Sequence, residues 1–263
     1  MEFVFVVPRR ALFPESAPHG FAPFHGGVID GAHFERVVAD HGFFVERARA
    51  EREPDWKQVI PYTLVARRGG AFGGDAGEPE ILLLTRSARG GDARLHHKMS
   101  IGVGGHVEPV DCAGTAPGAP RNPVPAGSAR ELSEELHIPS ETAPRPVGLL
   151  NDDTNAVGAV HVGLVQVLEV PAGTDVEVRE AEVLTGRLTT ITELERLVAD
   201  GANLESWSRL LVPHLRHFFG METPGAMQAA RSATEAAPAL RPVATNESVT
   251  SQTNPRQTSA RPT

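Results

Sequence analysis

Apolar positions change their period several times along the chain, and each change marks an element. "EFVFVVP" is a short run of strand-forming residues, and "QVIPYTLVARR" and "EILLLTRS" are two more, joined by a glycine-rich stretch. The last two read as a hairpin. "FERVVADHGFFVERARAE" spaces its apolar residues every three or four positions, the pattern of an amphipathic helix, weakened at Gly42. "KMSIGVGGHV" reads as a strand ending in paired glycines, and "PVDCAGTAPGAPRNPVP" has no period and reads as loop. A helix follows in "AGSARELSEELHIPS", residues 126–140. "PVGLLND", "GAVHVGLVQVLEV" and "VLTGRLTTI" read as strands, the second one buried. "TELERLVAD" predicts a helix with Thr192 as N-cap and Glu195 completing a capping box. "LESWSRLLVPHLRHFF" predicts a last helix with a kink at Pro213. Strands, helix, strands and helices in that order give an α+β layout with a mixed sheet.

Composition divides the chain. From Met221 onward it is rich in Ala, Thr, Pro and Ser and holds no aromatic residue, so it cannot bury enough surface to offset its ordering entropy. The expected organisation is therefore a folded body over residues 1–220 and a disordered tail over 221–263. A formal net charge of -8 argues against a nucleic-acid duplex or an anionic membrane as partner. Cys112 is the only cysteine, which excludes a disulfide framework and a cysteine-based zinc site. The N-terminal apolar run is short and broken by Pro8, as in a strand and not a signal peptide, and no apolar stretch approaches the roughly 18 residues of a membrane span. A cytoplasmic location is the expectation.

The helix at 126–140 carries the chemistry. Glu131, Glu134 and Glu135 sit at i, i+3 and i+4, on one face, and Ala129, Leu132 and Leu136 lie opposite and suit a core contact. Like charges at this spacing disfavour the helix by a few tenths of a kcal/mol. Mg²⁺ or Mn²⁺ would offset that, because hard oxygen ligands are what these ions take, and magnesium commonly brings phosphate. The plain alternative is a solvated acidic face with Arg130 paired to Glu134. Paired glycines upstream, Gly104 and Gly105, let backbone approach a ligand closely. Arg94 and Lys98 flank that strand as candidate phosphate contacts. Asp152, Asp153 and Asn155 are explained by turn chemistry. His161 and Trp207 suit a core, and Tyr62 has no role the sequence assigns.

"RELSEELHI" resembles the core of the Nudix box, whose pattern is Gly, five residues, Glu, seven residues, then Arg-Glu-apolar-x-Glu-Glu-x-Gly-apolar. "GGHVEPVD" is similar to its opening, with Gly105 as first glycine. Three departures stand out: Asp111 replaces the first glutamate, eighteen residues separate Asp111 from Arg130 in place of seven, and His137 replaces the last glycine, where a left-handed helix end would be expected. "WKQVIPYTLV", "SIGVGGHV", "VGAVHVGLV" and "ESWSRLL" extend the resemblance, over roughly residues 1–220, to a bacterial group of Nudix proteins described as predicted phosphoesterases. The resemblance implies an α/β/α sandwich and a metal-dependent hydrolase of diphosphate linkages in a nucleoside diphosphate joined to a group X. It implies Glu131 and Glu135 as metal ligands, Glu134 as ligand or general base, Arg130 holding a glutamate in place, and the Gly104 carbonyl as a further ligand. Glu180 and Glu182 are the candidates for an additional downstream acid, and Gly105 and Glu182 for substrate contacts. The expected partner is a small nucleotide or diphosphate, with a homodimer left open. Two alternatives are a nucleotide-sensing module without turnover and an isoprenoid diphosphate isomerase. The isomerase would use a cysteine in the glycine strand, whereas Cys112 lies in the inserted loop.

Overall fold

The computed structural model describes residues 1–27, 29–69, 77–87, 98–113, 122–139, 142–179, 182 and 184–221. Arg94, Glu180 and the expected tail beyond Met221 lie outside them. In chain order the first elements are β1 (Phe3–Pro8), α1 (Arg9–Leu12), β2 (Gly20–Pro23), α2 (Gly31–His41), β3 (Phe43–Glu46), α3 (Arg47–Ala50), β4 (Trp56–Arg67), β5 (Glu80–Arg86) and β6 (Met99–Ser100). Next come α4 (Val124–Glu135), β7 (Leu136–His137), β8 (Arg145–Asn151), α5 (Ala156–Ala159), β9 (His161–Val170), β10 (Glu177–Val178) and β11 (Leu184–Thr190). Three helices close the fold: α6 (Ile191–Ala199), α7 (Ser206–Leu211) and α8 (Leu215–Phe218).

The sheet is mixed, in the order β11-β5-β4-β9-β8-β2, with β1 and β3 added beside β4 and β6 beside β5. Its centre is the parallel pair β4–β9, in register from Gln58↔His161 to Arg67↔Val170. Both strands are covered on both faces, which is why each reads as a near-continuous apolar run. On one face Leu64, Ile81 and Leu83 pack with Ile191 and Leu194 of α6 and Leu211 of α7. On the other, Val59 and Leu164 meet Val124 of α4 and Phe34 and Val38 of α2. Each such large side chain contributes about 1.5–3 kcal/mol by leaving water. The result is a sheet between two helical layers, the α/β/α sandwich. Among the described residues no helix is long and apolar enough to cross a membrane.

The expected β4–β5 hairpin forms, with Ala66 opposite Ile81 and Arg67 opposite Glu80. The last helix is broken where Pro213 stands, by a 3₁₀ turn at Val212–His214. Other expectations need correction. The helical run from Phe34 to Glu51 is two helices with strand β3 between them. It stops at His41 because Gly42 is extended, and Phe43 then begins the pairing with β1. The glycine-containing strand shrinks to Met99–Ser100 and a bridge between Val103 and Thr63, since glycines have no side chain with which to hold a strand face. The exposed Ala129 is not on the core face of α4; Val124, Gly127 and Ser128 are buried there. A buried polar bridge sets this rotation: Ser128 Oγ donates to Gln166 Oε1 at 2.7 Å, and Thr63 Oγ1 donates to the same oxygen at 3.1 Å.

Helix α6 is capped two residues earlier than expected. The Thr190 side chain accepts from the Glu193 amide at 3.2 Å, while Thr192 donates from backbone and hydroxyl to Glu78, each at 3.0 Å. Thr190→Ala is expected to cost about 1 kcal/mol of stability in a urea titration, with Thr192→Ala leaving the cap intact.

Candidate functional site

Arg130 is the pivot of the site. Its guanidinium donates to both oxygens of Asp111, at 2.9 and 3.2 Å, and to the His106 carbonyl at 2.7 Å. A third nitrogen reaches Glu131 at 2.9 Å and Glu134 at 3.1 Å. The Asp111 hydrogen bond is the largest influence holding the proton on Arg130. Asp111 is buried and also accepts from the Glu108 amide at 2.8 Å. The 3₁₀ turn Pro109–Cys112 is thus pinned to α4 across the insertion. Aspartate in place of glutamate therefore keeps the motif's junction, with the added residues lying between the two pinned partners.

The three glutamates separate. Glu131 packs on Gly105, where a Cβ would collide with its carboxylate. Burial pushes its proton affinity up, against the opposing pull of Arg130. The side chain of Glu134 is 57% exposed and stays with Arg130. Glu135 turns instead into a cavity of about 70 Å³, lined also by Gly104, Arg86, Lys98, Ser100, Tyr62 and Glu205. Arg86 Nη2 lies 4.0 Å from its carboxylate. Among the described residues no three His, Cys, Asp or Glu side chains converge closely enough to hold an ion by themselves. Gly104 belongs where it is because a Cβ there would run into the Pro61 carbonyl.

Helix α4 does not end in a left-handed residue. Leu136 is extended, at φ -125° and ψ 150°, and His137 continues into β7, paired with Glu177 of β10. The motif's glycine is unnecessary because Arg179 caps the helix from outside. Its amide donates to the Glu135 carbonyl and its Nε to the Leu136 carbonyl, both at 2.9 Å.

Of the substrate candidates, Lys98 lines the cavity and Gly105 abuts Glu131. Glu182 does not line the cavity; it is exposed in a turn, and its carbonyl accepts from Ser87 Oγ at 3.0 Å. Arg86, Tyr62, Ser100 and Glu205 are the residues that sequence reasoning missed. A basic residue closing a buried strand, as Arg86 closes β5, is the one local signal that could have drawn attention. Cys112 sits in the Pro109–Cys112 turn and does not line the cavity.

Beside the site, Asp153 does more than shape a turn. It accepts from Arg9 and, at 2.7 Å, from Lys57 Nζ, which also donates to the Gly158 carbonyl at 2.9 Å. Burial first, opposed by Asp153, holds the Lys57 ammonium down to about 8. His161 is a satisfied residue: its Nδ1 lies 2.7 Å from the Val157 carbonyl and its Nε2 3.4 Å from Nε2 of His106. Burial is the largest cause keeping both imidazoles neutral. Trp207 packs edge-on to Tyr62 in the core.

No protein-family model matches the chain. Protein YmaB of Bacillus subtilis (strain 168) is 34% identical over 217 residues, covering 80% of this chain and 96% of YmaB. Among solved structures, Tm1382, assigned as a Nudix hydrolase, superposes with a TM-score of 0.63 at 27% identity, over 83% of this chain and all of Tm1382. That likeness supports a hydrolase. Fold, motif and a likeness that spans the whole of a Nudix protein agree, and the chain belongs to the Nudix superfamily.

Proposed function

We propose that the chain is a divalent-metal-dependent hydrolase that cleaves the diphosphate linkage of a nucleoside diphosphate joined to a second group, with residues 1–220 as the functional unit. The observation that carries this reading is one cavity in which Glu135 and the Gly104 backbone meet two cations, Arg86 and Lys98. Magnesium is usually held by one or two carboxylates, water and substrate phosphate oxygens, so it does not require a closed cage of protein ligands. Glu135, the Gly104 carbonyl and Glu131 behind Gly105 suit an ion that arrives with its phosphate. When bound, the ion supplies Lewis acidity and a more acidic water. Arg86 and Lys98 neutralise phosphate oxygens, and Arg130 orients Glu131 through a charge-assisted bond. For Glu134 to act as ligand or base, its pair with Arg130 must open.

Millimolar Mg²⁺ or Mn²⁺ is expected to raise the melting midpoint by several degrees, since a ligand selective for the native state stabilises it. The same metals should then support release of nucleotide or phosphate from a panel of nucleoside-diphosphate compounds. An unchanged midpoint together with no turnover would overturn the proposal. Tight nucleotide binding without turnover would replace it with a sensing role, which the engagement of Glu131 and Glu134 by Arg130 favours as the second reading.

A further inference from the structure

Glu205 stands in the wall of the cavity that holds Glu135, yet it is the N-cap residue of α7, seventy residues beyond the motif helix, and its side chain makes no capping bond. Three hydroxyls converge on its Oε1. Tyr62 contributes one, Ser100 Oγ lies at 2.8 Å, and Ser208 Oγ lies at 3.1 Å. The Tyr62 hydroxyl is fully buried, and burial followed by the Glu205 charge keeps it protonated as a donor. Ser208 is buried as well and is itself fixed by the Ile101 amide at 3.0 Å. An oxygen that three hydroxyls approach has little room for a further donor. The other oxygen, Oε2, appears in none of the hydrogen bonds among the described residues. A carboxylate this firmly held is more than a solvated helix-end charge.

The cavity already contains two cations suited to phosphate. Glu135 and the Gly104 backbone are the groups given to the ion, and Arg86 and Lys98 those given to the phosphates, so the partner left for Oε2 is a neutral donor beside them. A single free oxygen accepts one or two hydrogen bonds, which matches the hydroxyls of a sugar lying beside the phosphates. We propose that Glu205 is a specificity-determining residue that accepts hydrogen bonds from the hydroxyls of the sugar joined to the substrate's diphosphate. The inference rests on the diphosphate-cleaving reading above and adds what lies next to the phosphates.

Titration calorimetry on the full chain with Mg²⁺ tests this, using ADP, 2′,3′-dideoxy-ADP and inorganic pyrophosphate as probes. The parent should bind ADP about tenfold or more tightly than the dideoxy compound, because a hydrogen bond to a charged acceptor is lost. In Glu205→Gln the three hydroxyl donors keep the amide oxygen, so the NH₂ faces the cavity and an acceptor becomes a donor. The preference for ADP should then collapse to about twofold or less, with pyrophosphate binding retained. Tyr62→Phe, which removes one of the hydroxyls anchoring Oε1, should give an intermediate preference. A merely structural cluster would lower the melting points of both variants and leave the preference at the parent value, and that result would overturn the inference. A parent that binds pyrophosphate but does not distinguish ADP from its dideoxy form would overturn it as well, with the diphosphate reading intact. A parent that binds none of the three probes would overturn both.

Discussion

Replacing Asp153 with alanine is expected to destabilise the protein by about 3 kcal/mol, measured as the loss in unfolding free energy in a denaturant titration. The Lys57 side chain is 0% exposed, and Asp153 is its anionic partner at 2.7 Å. Without that carboxylate a buried ammonium keeps, among the described residues, only the Gly158 carbonyl, and Arg9 loses its ion pair with Asp153 too. Breaking such a pair typically costs about 3–5 kcal/mol, and the 34% exposure of Asp153 puts this case at the lower end. Proton linkage gives a second signature. Lys57 titrates near 8 when folded and at its ordinary 10.5 when unfolded. Between those values the folded chain holds fewer protons than the unfolded one, so stability rises with pH. Loss of Asp153 lowers the folded value further, and the rise should begin at lower pH in the variant. Adding Lys57→Met to Asp153→Ala should recover much of the loss, since the uncompensated charge is then gone. A variant as stable as the parent at pH 7 would show that water, and not Asp153, solvates the ammonium.

The second large effect concerns turnover. Glu135→Gln is expected to lower kcat by about 10²-fold or more, equivalent to about 2.7 kcal/mol, with little change in melting point in the absence of metal. Glutamine keeps size and helix propensity and removes the one motif carboxylate that lines the cavity. A metal charge matters more as the phosphoryl group gains negative charge, so the loss should appear in kcat before KM. Glu35→Gln, exposed on α2 and remote from the cavity, is the control. Near-full activity in Glu135→Gln would move the metal to Glu131 and Glu134, which would then have to release Arg130.

Local signals explain most of what was legible in the sequence. The motif helix and the break at Pro213 each depend on neighbours within a few residues, and the β4–β5 hairpin joins strands adjacent in the chain. The pairing of Arg130 with Glu134, weighed as the plain alternative, is present at 3.1 Å, but it coexists with the buried bond to Asp111. What was not legible depends on contacts across long separations. Lys57, at the start of β4, meets Asp153, in the turn between β8 and α5, because β4 and β9 run parallel side by side and bring their starting ends together. Glu205 reaches the cavity because α7 packs back over the sheet near Tyr62. The core face of α4 is set by Ser128 meeting Gln166, and hydrophobic periodicity has no way to register a buried hydroxyl–amide bond. His137 gave a false expectation for the same reason: the cap that replaces a glycine comes from Arg179, forty-two residues away.

The clamp between Asp111 and Arg130 has a practical consequence. It fixes both shores of the insertion, and the entropy of closing a loop grows slowly with length, about 0.6 kcal/mol per doubling, so added residues there are thermodynamically cheap. Cys112, the only thiol in the chain, lies on the near shore and is partly exposed. A fluorophore attached there would sit one residue from the clamp and would report any change in it when a metal ion is added, a reading that needs no knowledge of the substrate.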